Sequence, residues 1–256
     1  MRKTYIITLL STTIISVILL ITLSTFIDPL NKLRANTSSY FSSERNLKAR
    51  MIENNNYKGL LIGSSKVSYI NSRDNEKILN AGFSAALPEE ILSFLEEKNP
   101  NVEWIALGLD YYMFHEKKFP YSNQNFHFQK LNFFEKFSYT ISLNTFFYTF
   151  KSLVYKLLDR PIQYTHSGSR NVEYKLLDEH NKSYDYTATL ENLKDRFKDY
   201  KISEKRLIDM SRIQTWADNK GIILIVYLNP YNDEVLKLLN SYNNNEIRNL
   251  APLLSS

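Results

Sequence analysis

Two rhythms of apolar and polar positions run along this chain. The first is a single unbroken stretch: residues 4–27 include no charged side chain. As a helix these 24 residues would span about 36 Å, against a hydrocarbon core of about 30 Å, so the pattern predicts a transmembrane helix. Asp28-Pro29 ends it. Residues 36–43 are polar and rich in Ser and Thr, a linker pattern. Leu47, Ala49 and Met51 among charged neighbours predict a weakly amphipathic helix over 43–54. The second rhythm is one of brief apolar runs at 60–62, 78–79, 104–109 and 222–228. They are too short for helices and read as strands: 60–62 buried on both faces, 104–109 buried, and 222–228 the most strand-like run of all. Helical spacing fills the gaps. Leu87, Ile91, Leu92 and Leu95 share a face, with Pro88 in the first turn and Asn99-Pro100 as the stop. Leu207, Met210, Ile213 and Ala217 form a second such face behind a capping Ser203, and a last helix starts near Asn232 or Asp233. Strands alternating with helices predict an α/β fold with a doubly wound parallel sheet.

Residues 111–200 interrupt that order and read as an insertion or cap over the sheet edge. Phe133, Phe134, Phe137, Phe146, Phe147 and Phe150 make 133–158 helical and aromatic-rich, as core or as a surface against a membrane. Residues 160–186 read as polar and irregular. The division is then a membrane anchor (1–30), a juxtamembrane linker and helix (31–56) and an α/β domain (57–256).

Charge and composition narrow the function. The net charge is +5 with no block of five like charges, so no nucleic-acid surface is expected. Cysteine is absent, which excludes disulfides and thiolate metal sites. No His pair at i, i+4, no Gly-x-Gly-x-x-Gly and no Gly-Lys-Ser occurs, so neither metal nor nucleotide cofactor is expected. Arg2 and Lys3 precede the apolar stretch and no Ala-x-Ala site follows it. An uncleaved signal anchor is expected: single pass, N-terminus cytoplasmic, body periplasmic or extracellular. Asn36-Thr37-Ser38 and Asn181-Lys182-Ser183 are glycosylation sequons by pattern only.

The candidate chemistry sits where the brief runs end. Gly63-Ser64-Ser65, Asn80-Ala81-Gly82 and Gly108-Leu109-Asp110 each close a strand at its carboxyl end, where open α/β sheets place ligands. An ester-cleaving serine needs an exposed hydroxyl, a base and N–H donors for the oxyanion. Ser65 supplies the first, and Gly82 could supply a backbone donor. Asp110 would repel an oxyanion and suits substrate binding or orientation better. Phosphate or sulfate binding at Gly63-Ser64-Ser65 is the lesser option.

These three blocks, in "LLIGSSKV", "ILNAGFSAA" and "WIALGLDYYMF", resemble the first three blocks of the SGNH (GDSL-type) hydrolase superfamily. Behind an N-terminal anchor they are similar to its membrane-anchored envelope branch, relatives of polysaccharide O-acetylation proteins. The resemblance implies a flavodoxin-like, SGNH-type sheet, with Ser65 as nucleophile, Gly82 as oxyanion donor and Ser64, Asn80 and Asp110 as substrate contacts. It implies an O-acyl (acetyl) esterase or transferase acting on acylated envelope carbohydrate or an acyl carrier, beside a membrane-bound acyltransferase partner. The chain departs from the pattern in two places. Asp110 stands where an oxyanion Asn is usual. The late Asp-x-x-His block is absent, and His115, His127, His166 and His180 all fall within 111–200. The alternative is therefore a non-catalytic carbohydrate-binding or assembly subunit, or a truncated member of the family.

Overall fold

The structure, a computed structural model, describes residues 2–35, 40–41, 43–54, 56–71, 77–119, 121, 128, 131–179, 186–231 and 233–241. Both sequons, Phe126, His127 and His180 have residues outside this set. In chain order the elements are α1 (Arg2–Ile27), α2 (Glu44–Asn54), β1 (Gly59–Gly63), α3 (Ser65–Ser68), β2 (Ile78–Asn80), α4 (Pro88–Lys98) and β3 (Trp104–Leu109). Then follow α5 (Phe133–Thr140), α6 (Leu143–Leu157), α7 (Val172–Glu179), α8 (Tyr186–Phe197), α9 (Glu204–Asn219), β4 (Ile223–Leu228) and α10 (Asp233–Ser241).

The protein is mixed α/β, and among the described residues its sheet has four strands in the order β2-β1-β3-β4. Every pairing is parallel, with Leu61 opposite Asn80, Gly63 opposite Gly108 and Leu109 opposite Leu228. All strand carboxyl ends therefore meet on one rim. One core joins Leu60, Ile62, Ile105 and Leu107 of the sheet to Ile91 and Leu95 of α4 and to Ile213 and Ala217 of α9. Each of these leucine and isoleucine side chains stabilises the fold by about 1.5–3 kcal/mol through burial. Within that core Arg206 of α9, wholly buried, makes a bidentate pair with Glu89 of α4 and donates to the His115 carbonyl.

The 222–228 run is a strand, β4, and an exposed one: Ile223 is 66% and Ile225 52% exposed, and among the described residues it is an edge strand that pairs only with β3. Ser203 stands at the N-cap of α9, but its hydroxyl makes no capping bond.

Within the 111–200 stretch, residues 133–158 form two helices, because Ser142 opens α6 by accepting from the Thr145 amide. α5 and α6 pack along α1. Thr149 Oγ1 donates to Ser24 Oγ at 3.2 Å. A helix, α7, lies within the stretch expected to be irregular. The end of α1 is also more than a break. Buried Asp28 has a positive φ of 43°. Its carboxylate accepts from the Lys32, Leu33 and Arg34 amides and from the Tyr139 hydroxyl of α5.

Candidate active site at the carboxyl ends of the strands

Ser65 is the first residue of α3, directly after β1, and it is half-buried. Its hydroxyl has no hydrogen-bond partner among the described residues. The turn that holds it depends on three glycines. A Cβ at Gly63, whose φ is +144°, would lie 2.1 Å from the Gly108 carbonyl oxygen, too close for any side chain. A Cβ at Gly82 would meet Ser68 N at 2.8 Å and Val67 Cβ at 2.9 Å. One at Gly108 would meet Val67 Cγ2 at 2.4 Å. The ends of β1, β2 and β3 thus form a socket without side chains, and Val67, wholly buried, fills it. Seating Val67 fixes α3 and, two residues earlier, Ser65.

Gly82, the expected oxyanion donor, has its N–H engaged: it donates to Asn80 Oδ1 at 3.0 Å. Asn80 is committed in turn. Its Nδ2 donates to the carbonyls of Val67 at 2.7 Å and Ile70 at 2.8 Å, tying β2 to the far end of α3. Ser64 is buried, and its Oγ accepts from the Lys66 amide and from Asn229 Nδ2, both at 3.2 Å. Asn80 and Ser64 are thus internal struts of the rim, and Ser65 is the serine of the pair that reaches solvent.

Asp110 is buried and paired. Its Oδ1 accepts from the Tyr231 hydroxyl at 2.8 Å and lies 3.2 Å from Lys66 Nζ. The Lys66 ammonium sits 3.0 Å from the Tyr231 ring centroid and donates to the Pro230 carbonyl. Burial pulls the Lys66 ammonium below its ordinary range, and the Asp110 carboxylate opposes that shift. Burial and then Asp110 push the phenols of Tyr231 and Tyr227 upward. Among the described residues, Asp110 Oδ2 and the Tyr227 hydroxyl are buried without hydrogen-bond partners. Leaving such atoms unpaired costs about 1–3 kcal/mol each. Lys66, Asn229, Tyr227 and Tyr231 were not singled out in the sequence.

The histidines do not complete a serine–base pair among the described residues. His115 Nδ1 accepts from the Lys201 amide at 3.4 Å, which leaves Nε2 as the proton-bearing nitrogen facing the Lys198 carbonyl at 3.2 Å. Its ring lies on Tyr200, and burial lowers its affinity for a second proton. It serves the junction between 115 and 202. His166 is exposed on a strap, residues 163–171, that docks behind the site. On that strap the Ser167 carbonyl accepts from the Asn80 amide, Ser169 Oγ donates to the Ile70 carbonyl and the Arg170 amide donates to the Ser68 carbonyl. Arg170 also makes a bidentate pair with Glu44 of α2. Beneath the strap Lys48, wholly buried, donates to the carbonyls of Asn80 and Gly168. Burial pulls its ammonium down to about 7, with Glu44 opposing.

The rim therefore offers an unengaged hydroxyl at Ser65, one exposed cation at Lys66 and an underpaired acid at Asp110. Among the described residues no group of three or more His, Cys, Asp and Glu could hold a metal ion. Comparison with protein-family models, with curated proteins and with solved structures finds no match to this chain.

Proposed function

We propose that this chain is a membrane-anchored protein with an SGNH-type, doubly wound sheet that acts on acylated cell-envelope polysaccharide. In this reading it is an O-acyl (acetyl) esterase or transferase with Ser65 as nucleophile. The observation that carries the proposal is the strand–Gly–Ser–Ser–helix turn. It presents Ser65 Oγ, half-buried and unengaged, on the rim where Gly63, Gly82 and Gly108 converge. Ser65 Oγ would bond to the acyl carbon while the bond from that carbon to the sugar oxygen breaks. The sugar leaves with a proton, and water or an acceptor hydroxyl then releases the acyl group. Lys66 and Asp110 would orient the carbohydrate hydroxyls. α1 would be the anchor: residues 3–27 have a mean hydropathy of 2.5 over the most apolar window and none of that window is buried. The N-terminus would lie in the cytoplasm and the rim outside it.

One observation favours a second reading, a non-catalytic carbohydrate-binding or assembly subunit. The Gly82 N–H is already bonded to Asn80, and no described histidine stands at Ser65. A serine-reactive fluorophosphonate separates the two. The enzyme reading expects labelling of the full chain that disappears in Ser65→Ala. Equal labelling of both proteins, or of neither, leaves the binding reading standing. The orientation is checked with a reporter fused after Ser256: activity of a reporter that works only in the cytosol would reverse it.

A further inference from the structure

The hairpin of α5 and α6 turns its largest rings outward. Phe133, Phe134, Phe137, Phe147 and Phe150 are all more than half exposed, as is Leu143. From 137 to 150 the chain carries no charged residue. An exposed apolar surface of this kind marks a partner rather than a solvated face. It continues directly onto α1, through the Thr149–Ser24 and Tyr139–Asp28 hydrogen bonds.

Where the two meet lies an open pocket of about 660 Å³. Leu23, Phe26 and Ile27 of α1 form one wall and Leu153 of α6 another. Arg34 and Lys156 also line it, and both are exposed. Arg34 lies over the Phe26 ring, 5.4 Å from its centroid. Ser152, 5% exposed, completes the wall, and among the described residues its buried hydroxyl has no hydrogen-bond partner. Apolar walls and two exposed cations describe an amphiphile with an anionic head.

We propose that this pocket holds an anionic phospholipid of the bilayer. Its acyl chain lies against Leu23, Phe26, Ile27 and Leu153, and its phosphate between Arg34 and Lys156. The α5–α6 rings lie in the same leaflet. The inference rests on the reading of α1 as a membrane anchor.

The test uses the full chain in nanodiscs made from equal parts of phosphatidylglycerol and phosphatidylcholine. The protein is released into detergent, and the lipids that stay bound are counted by native mass spectrometry. Retention should favour phosphatidylglycerol by about tenfold. Arg34→Gln with Lys156→Gln should bring the ratio back to that of the bilayer, and Leu153→Trp, which fills the pocket, should remove bound lipid of both kinds. Equal retention of the two lipids by the unaltered protein, or an unchanged ratio in the double glutamine protein, overturns the proposal. Alkaline carbonate extraction of cell membranes tells the two failures apart. Release of the chain into the supernatant overturns the anchor and the lipid site together, whereas a pelleted chain without lipid preference overturns the lipid site alone.

Discussion

At Gly82 a methyl group would press on the Ser68 amide nitrogen and on Val67 Cβ, and both belong to the turn that presents Ser65. Gly82→Ala should therefore cost about 1–3 kcal/mol by overpacking, read as a lower urea midpoint. An unchanged midpoint would show that the Val67 socket is loose. A second site has the larger expected effect. Glu89→Ala leaves the Arg206 guanidinium buried and uncompensated, which should cost about 3–5 kcal/mol in equilibrium unfolding. If the loss is under about 1 kcal/mol, water reaches Arg206 and the pair is not closed. Lys48 makes a pH-dependent contribution. Its folded-state affinity for a proton is depressed to about 7, while the unfolded chain titrates near pH 10.4. Above both values the amine is neutral in either state and the contribution is whole. As pH falls from about 10.4 to 7 the unfolded chain takes up the proton first, so stability is lost across that window. The unaltered protein should gain stability between about pH 7 and 9.5 relative to Lys48→Met. Parallel pH profiles for the two would show that Lys48 stays charged in its site.

Among the elements, β4 carries the most strand-like run of the chain, ILIVYL, with Ile223, Ile225 and Val226 exposed at the end of the sheet. An apolar edge invites pairing with another chain. Ile225→Lys should reduce self-association in sedimentation experiments without shifting the unfolding midpoint. Unchanged association would place the contact elsewhere. The strands themselves were legible, because a run such as 104–109 bounded by small and polar residues has few other ways to fold. The rim was legible in part for the same reason: Gly63, Gly82 and Gly108 each follow a strand that the pattern identifies. What those glycines receive was not legible. The Val67 socket exists only once three strands lie in register, and register is not written in any one of them. The roles of Ser64 and Asn80 as struts depend on Asn229 and Ile70 in the same way. Packing of α6 on α1 was hidden by distance along the chain, since Ser24 and Thr149 are 125 residues apart. The break between α5 and α6 was in principle visible, in a Ser three residues before a Thr.

For the whole molecule, α1 and the α5–α6 hairpin both expose apolar surface, and the two should be separable. A chain lacking residues 2–27 keeps the exposed rings of Phe133, Phe134 and Phe147. It should still float with liposomes in a density gradient, though less completely than the full chain. Recovery of the shortened chain wholly at the bottom would mean that α1 alone holds the protein to lipid.

Asp28 has a consequence at this scale as well. Its carboxylate gathers three successive amides and the Tyr139 hydroxyl, so the chain leaves α1 already turned and already fastened to α5. A slack tether would let the body swing and sample many heights. On the proposed reading of α1 as an anchor, this joint makes it a mast to which the α5–α6 hairpin is fixed at one bearing. The depth at which the exposed rings of the hairpin would meet the leaflet is then set by the joint and not by the length of a linker.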